Sequence, residues 1–226
     1  MELLIDNGGD VNAKDRDYGS ALQVAAAGGH QKILQLPIDH GANVNFQGGY
    51  CGPALQAAAS GGHLEIAQRL IDNGADVNAG SGNCESPLQV AAFEGYLEFA
   101  KRLIDNGADV NAKSRNYGSA LQAAASEGHL EIVQLLINNG ADINAGSGSC
   151  GSALPAAAYD GQLVIVQRLL ENGADVNVEG GLYSALHLAA AAGYGKIVQL
   201  LTNYDARQGT VEGSCATGNS PYASVS

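Results

Sequence analysis

The sequence predicts an all-α solenoid of stacked helix–turn–helix units with projecting β-turn fingers. Three observations predict it. Related windows open at Tyr18, Cys51, Cys84, Tyr117, Cys150 and Tyr183, a 33-residue period in which only the last copy has lost a residue. Each copy carries two apolar runs at helical spacing. Each is broken by glycine after the first run, and all but the last by a second glycine after the second. A fixed period of this size means units that bury their apolar faces only against their neighbours. Most conspicuous residues are then structural copies, and candidates for function are the positions where the copies differ.

The unit from Tyr117 to Ser149 shows why each element forms. Gly118 and Ser119 lead into a first helix, with Ser119 placed as N-cap to accept an otherwise unpaired backbone N–H. The copy at Cys84 has Pro87 just after Ser86, at the first helical position, where its missing N–H costs nothing. Leu121, Ala124 and Ala125 make a narrow apolar face whose alanines permit close stacking. Glu127-Gly128-His129 breaks this helix. A second follows, with a wider apolar stripe at Ile132, Val133, Leu136 and Ile137. Gly140 ends it as the left-handed residue beyond the cap. Ala141-Asp142-Ile143-Asn144 then leaves in a turn-rich finger.

Helix, tight turn, helix, long finger resembles the ankyrin repeat. The family's Thr-Pro-Leu-His opening appears as Ser119-Ala120-Leu121-Gln122 and, closer still, as Ser86-Pro87-Leu88-Gln89, with the histidine returning at His187. Its Gly-His turn appears at Gly62-His63 and Gly128-His129. Its Gly-Ala-Asp-Val-Asn close runs from Gly74 to Asn78, Gly107 to Asn111 and Gly173 to Asn177. The Ala-Leu-Gln variant preceded by Tyr-Gly is similar to ankyrin arrays of fungal multidomain proteins, where such arrays follow a nucleotide-binding regulatory domain. The resemblance covers residues 1 to about 205. It implies a partial repeat over 1–17, then six repeats over 18–50, 51–83, 84–116, 117–149, 150–182 and 183–205. Residues 206–226, rich in Gly, Ser and Thr, are expected to be a disordered tail, because they offer too little apolar surface to offset ordering entropy. Tyr222 is the residue in it suited to partner binding or modification.

Two departures carry structural expectations. Residues 1–17 match only a second helix and finger, so the apolar side of Leu22, Ile33 and their neighbours should be poorly covered. That points to a fragment of a longer array or to a fraying N-terminal end, with end-to-end self-association through this face as a further reading. Pro37 stands where other copies have Leu70, Leu103, Leu136 and Leu169, and should bend or shorten its helix.

Charge and composition exclude some function classes. Asp and Glu outnumber Lys and Arg by 23 to 11, for a net charge of −12. Phosphate-backbone binding needs a basic stripe, and anionic lipid is disfavoured for the same reason. No apolar run approaches the ~20 residues of a membrane span, and the acidic start is unlike a secretory signal. Cys51, Cys84 and Cys150 share one column. Stacked helices stand about 8–10 Å apart, beyond the ~7 Å Cα separation of a disulfide. Free thiols in a reducing, cytoplasmic setting follow.

Repetition also decides most candidate chemistry. His30, His63 and His129 occupy one column, too far apart for a common metal ion, and read as turn residues. By the resemblance, His187 is a buried structural histidine. Asp76, Asp109, Asp142 and Asp175 recur in the finger motif, as do Asn45, Asn78, Asn111, Asn144 and Asn177, which suit hydrogen bonding of finger backbone. The loops at Gly80 and Gly146 lack the Lys-Ser/Thr of a phosphate-binding loop. No cofactor or metal site is expected.

The non-repeating positions remain. An aromatic stands beside an acid at Phe93-Glu94 and at Tyr159-Asp160, with Glu127 between them in the register. Tyr18, Tyr50, Arg115, Asn116, Tyr117 and Tyr183 belong to the finger tips. In ankyrin arrays finger tips and first helices form the concave surface. The resemblance therefore implies a non-catalytic protein-interaction scaffold whose concave acidic face takes a basic or aromatic-bearing partner, or another domain of its own longer chain. Exposed aromatics supply contact area at little entropic cost, and the acids meet Lys or Arg. The alternative is an enzyme or small-molecule site lined by Phe93, Tyr117 and Tyr159, with Glu94, Glu127 or Asp160 as acid or base.

Overall fold

A computed structural model describes residues 9–15, 19–48, 52–80, 85–146, 151–177, 179–180 and 183–215, with backbone alone for residues 14, 179–180, 183 and 206–215. Twelve helices are described. They are α1 (Ala21–Ala27), α2 (Gln31–Asp39), α3 (Ala54–Ser60), α4 (Leu64–Asp72), α5 (Pro87–Glu94) and α6 (Leu97–Asp105), then α7 (Ala120–Glu127), α8 (Leu130–Asn138), α9 (Ala153–Tyr159), α10 (Leu163–Glu171), α11 (Ala185–Ala191) and α12 (Gly195–Cys215). They pair in chain order, and each pair packs on the next. The fold is an all-helical repeat solenoid. Two-residue antiparallel ladders close two fingers, Lys14–Asp15 on Gly19–Ser20 and Glu179–Gly180 on Tyr183–Ser184. A single bridge, Lys113 to Ser119, occupies the same place in a third.

The local signals act as read. Ser20, Ser86 and Ser119 cap α1, α5 and α7, and Gln23, Gln89 and Gln122 reach back to complete capping boxes. Pro87 sits in the first turn of α5. First helices form one layer and second helices another. The first-helix layer is the tighter, because Ala58, Ala91, Ala92, Ala124, Ala125, Ala157 and Ala158 are fully buried at its seams. Leu70, Leu103, Leu136 and Leu169 are equally buried beneath the second helices, each contributing about 1.5–3 kcal/mol of apolar transfer.

Polar side chains tie consecutive copies together. Asn111 accepts the Asp142 N–H at 2.8 Å and donates to the Gly140 carbonyl at 3.1 Å. Asn45, Asn78 and Asn144 make the same pair of bonds in their copies. The column therefore bonds the backbone of the following copy. The histidine column reaches the other way, to the backbone of the preceding copy. The His63 Nε2 lies 3.1 Å from the Ala27 carbonyl and that of His129 lies 2.9 Å from the Phe93 carbonyl. The His129 ring covers Gly95, which has φ +81° and where an added Cβ would lie 2.5 Å from the ring. Only glycine meets both conditions.

Four expectations change. First, α2 keeps the nine residues of its counterparts with Pro37 inside it. Pro37 lies in the last turn, is buried in the leucine position, and its carbonyl still closes the helix by accepting the Ala42 N–H at 2.9 Å. Second, Leu22 is 1% exposed and belongs to the continuous apolar core, whereas Ile33, at 44%, is left open as expected. Third, His187 is exposed, and its Nδ1 lies 2.9 Å from the Ser184 Oγ. Among the described residues no further finger lies over it, whereas Gln23, Gln89 and Gln122 are covered by the next one. Fourth, α12 runs to Cys215 and crosses residue 205. Asp205 replaces the left-handed glycine that follows α10, Gly173, so the stop signal is missing. Residues 216–226, including Tyr222, lie outside the described residues, as do Cys51, Cys84 and Cys150.

Candidate functional site

The candidate residues lie at two places, the C-terminal ends of first helices and the finger tips. Phe93 and Glu94 close α5, Glu127 closes α7, and Tyr159 and Asp160 close and cap α9. Glu94, Glu127 and Asp160 hold one register position in three successive copies, and so form a line of carboxylates across three adjacent helix ends. Other copies have Gly28, Gly61 and Ala192 there. The placement runs against the helix macrodipole, which favours cations at a C-terminus by about 0.3–1 kcal/mol. Among the described residues Glu94 and Glu127 have no hydrogen-bond or ion-pair partner, while Asp160 accepts the Ser126 hydroxyl at 2.7 Å.

Tyr117 reaches over from the following finger. Its ring stacks on Phe93 with centroids 4.4 Å apart and planes 6° from parallel. Both residues are half-buried, so part of the pair stays in contact with solvent. Burial pushes the Tyr117 hydroxyl above its ordinary pKa of 10.0, and the charges of Glu85, Glu94 and Glu127 push it further the same way. The phenol is therefore neutral at physiological pH and available as a hydrogen-bond donor.

Glu85 belongs to this group and was missed by the sequence reading. It accepts from the Asn116 Nδ2 at 2.6 Å, which ties two finger tips together. The signal was present: other copies have Gly19, Gly52, Gly118 and Gly151 in that column, all with positive φ. Arg115 and Asn116 are exposed at the same tip. Tyr159 is 53% exposed. Tyr18 and Tyr50 lie outside the described residues, and of Tyr183 only the backbone is described.

A cleft of about 370 Å³ is lined by Gln31, Leu64, Glu65, Gln68, Arg69 and Arg102, and another of about 260 Å³ by residues around Tyr194 and Lys196. Neither contains Phe93, Tyr117 or Tyr159. Among the described residues no three His, Cys, Asp or Glu side chains are grouped to hold a metal ion. No described helix is long and apolar enough to cross a membrane.

Comparison with known families decides the class. A family model described as ankyrin repeats (3 copies) matches residues 1–81, 55–147 and 121–212. The chain belongs to the ankyrin-repeat family. No curated protein matches it. Ankyrin repeats are generally protein–protein interaction modules, and ankyrin-repeat proteins are typically non-enzymatic scaffolds. In this ankyrin array the repeating Asn, His and Gln columns are used up in holding copies together. The stacked rings of Phe93 and Tyr117 and the unpaired carboxylates of Glu94 and Glu127 are left over.

Proposed function

We propose that this ankyrin array is a non-catalytic scaffold that binds a protein partner on the concave face made by its first helices and fingers. The partner surface is basic or aromatic-bearing, and belongs either to another protein or to another domain of a longer chain. The observation that carries the reading is the Phe93–Tyr117 stack beside two carboxylates with no partner of their own. Parallel rings held by the scaffold lose little entropy on binding. Unpaired carboxylates beside them favour Lys or Arg across the interface. A reducing, intracellular setting is the reading taken from the recurrence of Cys51, Cys84 and Cys150 at one position of the 33-residue period, where neighbouring copies are expected about a packed-helix distance apart.

The test uses the wild-type chain, a Phe93→Ala/Tyr159→Ala variant and a Glu94→Gln/Glu127→Gln variant as baits in quantitative affinity capture. Far-UV circular dichroism verifies that all three are folded. Proteins held by wild type should be depleted with both variants. Equal recovery on all three baits refutes the assignment of this face.

A further inference from the structure

We propose that the cleft at the start of α12 is a receptor for a leucine side chain of a protein partner, with an acidic residue next to that leucine meeting Lys196. The cleft holds about 260 Å³ and is lined by Gly161, Leu163, Tyr194, Gly195, Lys196 and Ile197. None of Phe93, Glu94, Tyr117 or Glu127 lines it, so the site goes beyond the function proposed above.

The cleft lies where one side chain is missing. Each second helix opens directly after the tight turn, and its first residue is Leu64 in α4, Leu97 in α6, Leu130 in α8 and Leu163 in α10. All four leucines are half-buried and pack on the apolar core. In α12 the first residue is Gly195. The backbone is unchanged: the Leu163 N–H bonds the Gly161 carbonyl at 2.9 Å, and the Gly195 N–H bonds the Gly193 carbonyl at 3.0 Å. The difference is the absent isobutyl group, and a Cβ added at Gly195 would meet no atom within 4 Å. The rest of the lining is apolar and held in place. Ile197 is 1% exposed. The Tyr194 ring lies over Gly161, where an added Cβ would stand 2.6 Å from it. Val164, beside Leu163 in the chain, is 60% exposed where other copies have Glu65, Glu98 and Glu131.

The missing group identifies the occupant. A leucine from outside supplies the aliphatic group that four other copies carry at this place. Preformed apolar pockets of this kind seat the anchor residues of interfaces. The charge beside it selects the neighbour. Lys196 stands in the column of Glu65, Glu98 and Glu131, and is exposed. Among the described residues it has no ion pair or hydrogen bond. An unpaired cation on the rim of an apolar pocket, in a chain of net charge −12, favours a carboxylate on the incoming segment.

The probes are N-acetylated, C-amidated dipeptides titrated into the full chain and followed by amide NMR: Leu-Glu, Ala-Glu and Leu-Gln. Leu-Glu should shift the amides of Gly161, Gly195 and Lys196. Ala-Glu should bind roughly ten- to hundredfold more weakly, from the loss of a buried leucine side chain. Leu-Gln should bind about two- to fivefold more weakly, from the loss of an exposed ion pair. Gly195→Leu fills the cleft from within. It should abolish binding while raising Tm, because it buries apolar surface and restricts the unfolded chain. Lys196→Gln, an exposed change that leaves the fold in place, should remove the preference for Leu-Glu over Leu-Gln. Glu94→Gln/Glu127→Gln should bind Leu-Glu as wild type does.

Binding that survives Gly195→Leu, or no shift at the three amides, overturns the site. Equal binding of Leu-Glu and Ala-Glu overturns the occupant. Equal binding of Leu-Glu and Leu-Gln to wild type overturns the part given to Lys196. Wild type that dimerises in sedimentation, beside a monomeric Gly195→Leu, gives the cleft to a second copy and overturns its assignment to a partner. Affinity capture with the concave-face variants is independent of all these results, so failure of either proposal leaves the other standing.

Discussion

Two prolines each break one half of a capping box, and this difference between copies has a measurable consequence. In α7 the Ser119 Oγ accepts the Gln122 N–H at 3.2 Å, and the Gln122 Oε1 accepts the Ser119 N–H at 2.7 Å. In α9 the glutamine is replaced by Pro155, which has no N–H to give. The Ser152 Oγ, in a residue 1% exposed, is left with no partner. In α3 the serine is replaced by Pro53, and it is the Gln56 Oε1 that is orphaned. Ser119→Ala should destabilise by about 1–2 kcal/mol, the loss of a buried N-cap. Ser152→Ala removes a buried hydroxyl that makes no bond, and should be neutral or slightly stabilising. Pro155→Gln restores both bonds, worth about 1–3 kcal/mol. Offset by about 0.4–1 kcal/mol for the greater freedom of the unfolded chain, it should be a net gain. For a chain of this size 1 kcal/mol moves Tm by about 2–4 °C. Thermal unfolding followed by circular dichroism should therefore order the variants Pro155→Gln, then wild type and Ser152→Ala together, then Ser119→Ala. The reasoning is refuted if Ser152→Ala costs as much as Ser119→Ala.

Two other outcomes follow. Asn111→Ala removes both bonds to the next copy at an exposed site and should cost about 1 kcal/mol, read as a lower urea midpoint with unchanged slope. Tyr117 should titrate above the ordinary tyrosine value. The folded state then holds this proton more tightly than the unfolded chain, so its contribution to stability is complete below pH 10.0 and is lost as pH rises through the folded value. Glu94→Gln/Glu127→Gln should lower that value without restoring 10.0, because burial is the larger cause. NMR of the Tyr117 ring carbons reads it, and a value at or below 10.0 in wild type contradicts the account.

Much of the architecture was legible because each copy states it again. Ser119 and Pro87 mark helix starts by their own chemistry, and Gly140 marks an end through a left-handed conformation that needs no partner. Asp205 shows the converse: with no glycine there, α12 runs on. What was not legible depended on neighbours. Pro37 looked disruptive, yet it lies in the last turn and its carbonyl still accepts the Ala42 N–H, so the helix keeps its length. His187 looked buried by its motif, but burial in that column comes from the next finger. Glu85 was overlooked, although its break in a glycine column was visible; what makes it matter is the Asn116 bond, made 31 residues away.

By itself the sequence determined the repeat, its helix pairs and caps, and the line of acids, since all depend on residues close in the chain or on exact periodicity. The tertiary structure alone decided that Tyr117 lies flat on Phe93, that His129 bonds the Phe93 carbonyl, and that Ser152 and Gln56 are left with unpaired atoms. A period states which residues share a column. Which side chains touch across the seam is set by how one copy is laid on the next.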